Sequence, residues 1–186
     1  MSTSLASILR RHCGRHLFEV RSRIKGAGRT IGFVVDFSPD WILFHVLNTD
    51  VFKLNGYTAI RSGDVKNYRA FDRGEFWQNR AVGQFKLNLV RPPGISLTSL
   101  PDLLESIGRS YPLITIHPEK VKPDVCYIGP LLSIAKATFT IDDLDCNAEW
   151  SGPRRLRFSD VTRVDFGGGY EEALAATAPK RPKRKK

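Results

Sequence analysis

The chain has 186 residues, enough for one ordinary domain or two small ones, and its 41% hydrophobic residues can supply a core. No apolar run approaches the roughly 18 residues of a membrane span, and the first basic residues follow the N-terminal apolar patch, the reverse of a secretory signal. Three widely spaced cysteines (Cys13, Cys126 and Cys146) do not form a disulfide framework. We therefore expect a soluble cytoplasmic protein with reduced thiols and no membrane partner.

The net charge of +10 is concentrated at the two ends of the chain. Residues 1–30 carry seven basic groups and one acid, and the tail 180–186 carries six basic groups and no acid. The remaining 149 residues hold 16 basic and 18 acidic side chains. We therefore expect any contact with nucleic-acid phosphates at the ends. The candidate residues are Arg10, Arg11, Arg15, Lys180, Arg181, Lys183, Arg184, Lys185 and Lys186.

The first half of the chain predicts one helix followed by a series of short strands. Leu5, Ile8 and Leu9 have helical spacing and predict a helix within 3–13. Alternating, aromatic and β-branched residues between turn signals predict the strands. The predicted strands are 17–24, 30–37, 41–48, 57–60 and 65–71, and a helical turn or two follows within 73–82.

The middle of the chain predicts a docked helix rather than a flexible linker. The helix should span about 98–108, with Ser99 as its N-cap and Pro101 near its first position. One face of this helix is apolar. That face comprises Leu100, Leu103, Leu104 and Ile107.

The second half predicts strands again and closes with a helix. The strand at 125–134 contains Pro130, which indicates a sheet edge or a bulge. The further predicted elements are a strand at 137–143, a hairpin within 146–158, a strand at 161–166 and, within 167–178, a glycine turn followed by a helix.

The two halves share three landmarks at a nearly constant offset. These pairs are Gly32 with Gly129, Asp64 with Asp160, and Phe76 with Tyr170, at offsets of 97, 96 and 94 residues. The offsets favour a duplicated unit of roughly 50 residues, although coincidence among short strands remains the alternative.

A unit of four or five short strands is most stable as a small closed barrel, because closure removes unpaired edges. We therefore predict a mainly β fold with a few short helices, in which two small barrels are joined by a helical segment. The expected divisions are a basic N-terminal segment (1–29), a first barrel (30–83), a connecting strand and helix (84–118), a second barrel (119–178) and a disordered basic tail (179–186).

The strand within 41–48 is apolar on both faces, which is typical of a strand that is buried on both sides. Ile42, Phe44 and Val46 can face the barrel interior. The outward side chains should be covered by the middle helix, the other barrel or a second copy of the chain. They form the candidate partner interface and are Trp41, Leu43, His45 and Leu47.

Residues with metal-binding or catalytic chemistry are present, but not in complete motifs. "DLDCNAE" starts like a calcium loop but lacks the sixth-position glycine and the twelfth-position acid. "HCGRH" offers three ligands (His12, Cys13 and His16) without a fourth. We therefore expect no metal or other cofactor.

Two further features leave alternatives open. "FGGGY" at 166–170 could present amides to an anion, but a tight strand-to-helix turn is the favoured interpretation. No Gly-x-Ser-x-Gly elbow occurs, so we do not expect an enzyme. A pocket with converging titratable groups would instead favour a small-molecule enzyme.

The segments "IGFVVDFSPDWILFHV" to "DVKNY" and "CYIGPLLSIAKATFTID" to "DVTRVDF" resemble the SH3-like and Sm-like small barrels. The layout is also similar to the C-terminal barrel of bacterial ribosome-maturation proteins, and the whole chain is similar to bacterial proteins without an established activity. The resemblance implies a glycine in a bent early strand and a short closing strand. The loops "SPDW" and "AKA" lack the Asp and Asn of RNA-binding Sm rings, so neither that RNA pocket nor a ring is implied.

These observations favour a non-enzymatic binding protein that associates with nucleic acid, RNA or the ribosome through its basic termini. The alternative is a protein-interaction module or homo-oligomer that uses the outer face of the first barrel. Exposed aromatic side chains would support nucleic-acid binding by base stacking. Trp77 and Tyr57 are the candidates, with core packing favoured for Trp77.

Overall fold

The computed structural model describes residues 4–71 and 77–182, with only the backbone at 78–80. Its helices are α1 (Leu5–His12), α2 (Trp77–Gln84), α3 (Leu100–Ser110) and α4 (Gly169–Thr177). Its strands are β1 (Leu17–Ser22), β2 (Arg29–Phe37), β3 (Trp41–Asn48), β4 (Lys53–Arg61), β5 (Val65–Ala70), β6 (Ile114–His117), β7 (Tyr127–Gly129), β8 (Leu131–Ile134), β9 (Thr138–Leu144), β10 (Trp150–Arg157) and β11 (Arg163–Phe166).

The predicted mainly β class is confirmed, and several predicted elements are found close to their expected bounds. Ser99 caps α3, where its hydroxyl accepts a hydrogen bond from the amide of Asp102. The strand at 125–134 is interrupted at Pro130 and becomes β7 and β8, because proline cannot donate to the strand ladder. Phe76, one landmark of the proposed repeat, lies outside the described residues.

All the described strand pairs are antiparallel, and they belong to one sheet. The strand order is β10-β9-β7-β6-β11-β4-β3-β2-β1-β5, and β8 pairs with β9 beside this path. The order β4-β3-β2-β1-β5 of the first half matches the order β10-β9-β7-β6-β11 of the second. A 3-10 turn precedes the last strand of each half, at Ser62–Asp64 and Phe158–Asp160.

The expected arrangement of two closed barrels is not confirmed, because the sheet is not closed. Closure of the first half would require β4 to pair with β5. Instead β4 pairs with β11, from Arg163 opposite Ile60 to Phe166 opposite Tyr57. The free edge of β4, which would close the first half into a barrel, therefore joins the two halves instead. We call the β4–β11 pair the seam.

The largest buried cluster lies on one side of the seam. The apolar face of α3 packs there against Trp41 and Leu43 of β3 and against Val164 and Phe166 of β11. The other side of β3 points into a separate core, where Ile42 and Phe44 contact Phe18. Because both sides of β3 are buried, the two-faced apolar pattern of this strand is confirmed.

The hydropathy of the helices agrees with the absence of a long apolar run in the sequence. Within residues 4–71 and 77–182, no helix is long and apolar enough to cross a bilayer.

Candidate binding site

A groove of about 440 Å³ lies at the seam, on the side opposite α3. Its walls come from both halves of the chain, so neither half forms it alone. The contributing elements are the start of β2, the C-terminal end of β3, the strands β4, β6 and β11, and the first turn of α4.

The floor of the groove is a polar row across three neighbouring strands. Asp165 lies opposite Thr58 on one side and opposite Thr115 on the other. Residues that are directly opposite in an antiparallel pair project from the same face of the sheet. The hydroxyl of Thr58 donates a hydrogen bond to Oδ1 of Asp165, and Nε2 of His117 lies 2.8 Å from Oδ2 of the same carboxylate.

Arg163 links this row to a second carboxylate. Its Nη1 lies 3.3 Å from Oε1 of Glu119, and its Nε lies 3.3 Å from Oδ2 of Asp165. Its Nη2 lies 3.1 Å from both ring nitrogens of His117. Glu119 also accepts a hydrogen bond of 2.9 Å from the hydroxyl of Thr162. The charged groups of the floor therefore hold one another in place.

This network also determines the charge state of Asp165. Burial alone would raise its pKa, but the hydrogen bond from His117 and the positive charge of Arg163 outweigh burial. The pKa of Asp165 therefore lies below its usual value, and the carboxylate is ionised at neutral pH.

The glycine turn before α4 forms one wall of the groove, and its first helical amide is already bonded. The amide of Gly169 donates to Oδ1 of Asn55 over 2.8 Å. A Cβ on Gly56 would lie 2.6 Å from Cα of Gly168, so the backbones of the two halves are in close contact. This packing supports the tight-turn interpretation of "FGGGY" over an anion nest.

The mouth of the groove carries Tyr170 and Cys126, and both side chains are exposed. Desolvation, followed by the negative charge of Asp165, raises the pKa of the Cys126 thiol. This thiol is therefore protonated at neutral pH and is a poor nucleophile. Titratable groups do converge in the groove, but His117 and Asp165 are engaged with each other and with Arg163.

An arginine row leads into the groove along the outer face of the first half. Arg21 of β1 lies directly opposite Arg29 of β2, and Arg29 also lines the groove. Glu19 lies between them, with Oε1 at 3.0 Å from Nε of Arg21 and Oε2 at 3.9 Å from Nη1 of Arg29. On the other side of β1, Arg69 of β5 lies directly opposite Glu19. We call Arg21, Arg29 and Arg69 the arginine row.

Arg21 and Arg29 belong to the basic N-terminal segment and Arg69 to a predicted strand, but none of the three is among the site residues selected from the sequence. A sequence pattern could have predicted this pair of arginines. The alternating segment "FEVRSRI" indicates a strand, and the "GAG" turn after it reverses the chain and places Arg29 opposite Arg21. No local sequence pattern could have predicted the groove, because its floor residues Thr58 and Asp165 are separated by 107 positions.

The basic residues selected from the sequence lie in different environments. Arg10, Arg11, Arg15 and Lys180 are exposed. Nε of Arg181 lies 2.6 Å from Oδ2 of the fully buried Asp142. Nε1 of Trp150 donates a hydrogen bond to the carbonyl oxygen of Pro179. The start of the tail is therefore docked on the second half. Lys183, Arg184, Lys185 and Lys186 lie outside the described residues.

The candidate partner interface on β3 is buried within the chain itself. Trp41 and Leu43 are each 1% exposed beneath α3, and the guanidinium of Arg61 lies 5.0 Å from the Trp41 ring. Leu47 packs with Phe52 in a neighbouring cluster. Burial lowers the pKa of His45. The middle helix and the second half therefore cover Trp41 and Leu43, whereas Leu47 is covered by residues of the first half itself.

Trp77 does not pack in the core as favoured from the sequence, since its side chain is 55% exposed. It lies against Phe52, with ring centroids 5.7 Å apart. Tyr57, in contrast, packs between His45 and Phe166, and its hydroxyl donates to the carbonyl oxygen of Val90.

Within residues 4–71 and 77–182, no group of three or more His, Cys, Asp or Glu side chains could hold a metal ion. Comparison of the chain with protein-family models, with curated proteins and with solved structures finds no match.

Proposed function

We propose that this chain is a non-enzymatic binding protein and that its partner is a nucleic acid, held mainly through phosphate contacts. The observation that carries the proposal is the arginine row. Like charges that lie directly opposite in a sheet are destabilising. Arg21 and Arg29 are placed in this way with a single acid, Glu19, between them. An anionic partner would relieve that repulsion.

The surroundings of the row agree with a phosphate-binding surface. Arg69 of β5 lies opposite Glu19 and adds a third arginine to the row, with its guanidinium 5.1 Å from the ring of Phe71. Arg10, Arg11 and Arg15 add exposed positive charge to the same half of the chain. Such groups bind phosphates without reading base sequence, and each phosphate contact makes binding more sensitive to salt.

A salt series of fluorescence-anisotropy titrations with labelled RNA and DNA oligomers tests this proposal. We expect binding that weakens steeply with salt. Replacing both opposed arginines, as R21A/R29A, should reduce the slope of log affinity against log salt by about 1.4 for a single strand. The matched control R155A/R157A removes two exposed arginines from β10, in the other half.

The control should change the slope less than R21A/R29A does. The proposal is overturned if the parent protein binds none of the oligomers at low salt. It is also overturned if R21A/R29A keeps the affinity and slope of the parent.

A second candidate function is self-association, which an exposed aromatic patch favours. Phe85 is 57% exposed and, like Trp77, lies against Phe52. Val51, the chain neighbour of Phe52, is 58% exposed. Exposed apolar groups that cluster in this way mark interaction surfaces. Sedimentation equilibrium should then show dimers of the parent and monomers of W77S/F85S. A parent that stays monomeric at every concentration would exclude this candidate.

A further inference from the structure

We infer that the seam groove holds one unpaired base of the bound nucleic acid while the arginine row holds the neighbouring phosphates. This inference rests on the proposed function. It adds that the preferred partner is single-stranded, because a base can enter a groove only when it is not paired in a helix.

The row and the groove form one continuous surface through Arg29. The Arg29 side chain faces Arg21 across the strand pair, and it also lines the groove. A phosphate between Arg21 and Arg29 would therefore place the adjoining nucleotide at the groove mouth.

The mouth offers an aromatic ring for stacking. Tyr170 lines the groove and is 53% exposed. It is the second residue of α4 and directly follows the glycine turn, which the close contact between Gly56 and Gly168 holds against β4. Stacking of a base on an exposed aromatic side chain contributes to single-strand binding and tolerates any base.

The charge balance of the groove selects a neutral ring over an ion. Its lining contains two arginines, Arg29 and Arg163, and two acids, Asp165 and Glu171. A phosphate within the groove would approach both carboxylates, and a cation would approach both guanidinium groups. An uncharged base, which carries hydrogen-bond donors and acceptors, is repelled neither by the carboxylates nor by the guanidinium groups.

The polar groups of the floor are suited to contact the edge of such a ring. Asp165 and His117 are fixed by their mutual hydrogen bond, and Glu171 is fixed by a hydrogen bond of 2.6 Å from the hydroxyl of Thr115. Groups that are held in place lose little conformational entropy when a ligand binds. The groove volume of about 440 Å³ admits one base but not a base pair together with its backbone.

Binding of single-stranded and duplex oligomers of equal length, measured at one salt concentration, tests the inference. The variants are Tyr170→Ala, which removes the ring, and Tyr170→Phe, which keeps it. Tyr170→Ala should weaken single-strand binding by roughly tenfold. Tyr170→Phe should match the parent. The salt slope should be the same in all three proteins, because no phosphate contact is lost.

The outcomes separate this inference from the function on which it rests. If Tyr170→Ala binds single strands as tightly as the parent while R21A/R29A does not, the base site is wrong and the phosphate surface stands. Equal affinity of the parent for duplex and single strand would also overturn the base site. Tight binding of free nucleoside monophosphates without binding of oligomers would overturn both proposals.

Discussion

Asp165 links the two halves of the chain at the floor of the groove. It accepts a hydrogen bond from Thr58 of the first half, and it contacts His117 and Arg163 of the second. Its pKa is depressed although burial acts to raise it, so the native state stabilises the ionised form. The carboxylate is therefore a structural link as well as part of the groove floor.

Asp165→Asn should lower the free energy of unfolding at neutral pH by about 1.5–3 kcal/mol, the usual contribution of hydrogen bonds to a charged group. Because the pKa is lower in the folded than in the unfolded chain, this stabilisation is complete above the unfolded pKa and is lost as pH falls through the folded pKa. Urea unfolding at neutral and acidic pH measures the difference between parent and variant.

The difference should shrink in acid, where the parent carboxylate also becomes neutral. Asp50→Asn, in an exposed loop, serves as the control and should change stability little at either pH. A difference between the parent and Asp165→Asn that does not vary with pH would contradict the role assigned to the ionised carboxylate.

At the scale of elements, two glycines allow strands to approach closely at corresponding places in the two halves. A Cβ on Gly32 of β2 would overlap the carbonyl oxygen of His45, and one on Gly129 of β7 would overlap that of Asp142. In both cases the obstacle is backbone, which cannot rotate away as a side chain can. The shared strand order and the shared glycine agree with a duplicated unit.

Gly129→Ala should therefore destabilise the protein by about 1–3 kcal/mol or more, the usual cost of overpacking. Gly63→Ala is the matched control, since an added Cβ there meets no atom within 4 Å. Thermal unfolding followed by circular dichroism compares them. Equal melting temperatures for Gly129→Ala and Gly63→Ala would mean that β7 and β9 do not pack as closely as described.

Elements whose signals are local could be predicted, and contacts between distant elements could not. Ser99 and the apolar spacing after it predict α3 to within two residues at each end, because capping and helical periodicity act over one or two turns. The pairing of Tyr57 with Phe166 has no local signal. The strands β4 and β11 belong to different halves, so their pairing depends on residues that are far apart in the chain.

At the scale of the whole molecule, the seam gives the chain its candidate function. The same pairing of β4 with β11 that leaves the sheet open also builds the groove from both halves. The arginine row ends at this groove, whereas the basic termini were the site expected from composition. We therefore propose that nucleic acid binds along the arginine row and into the groove.

The most direct test is an NMR titration of isotope-labelled protein with a short single-stranded oligomer, followed by amide chemical shifts. We predict that the shifted amides cluster at 19–31, 55–58 and 163–171, around the row and the groove. Shifts confined to α1 and the C-terminal tail would place binding at the basic ends instead and contradict the account.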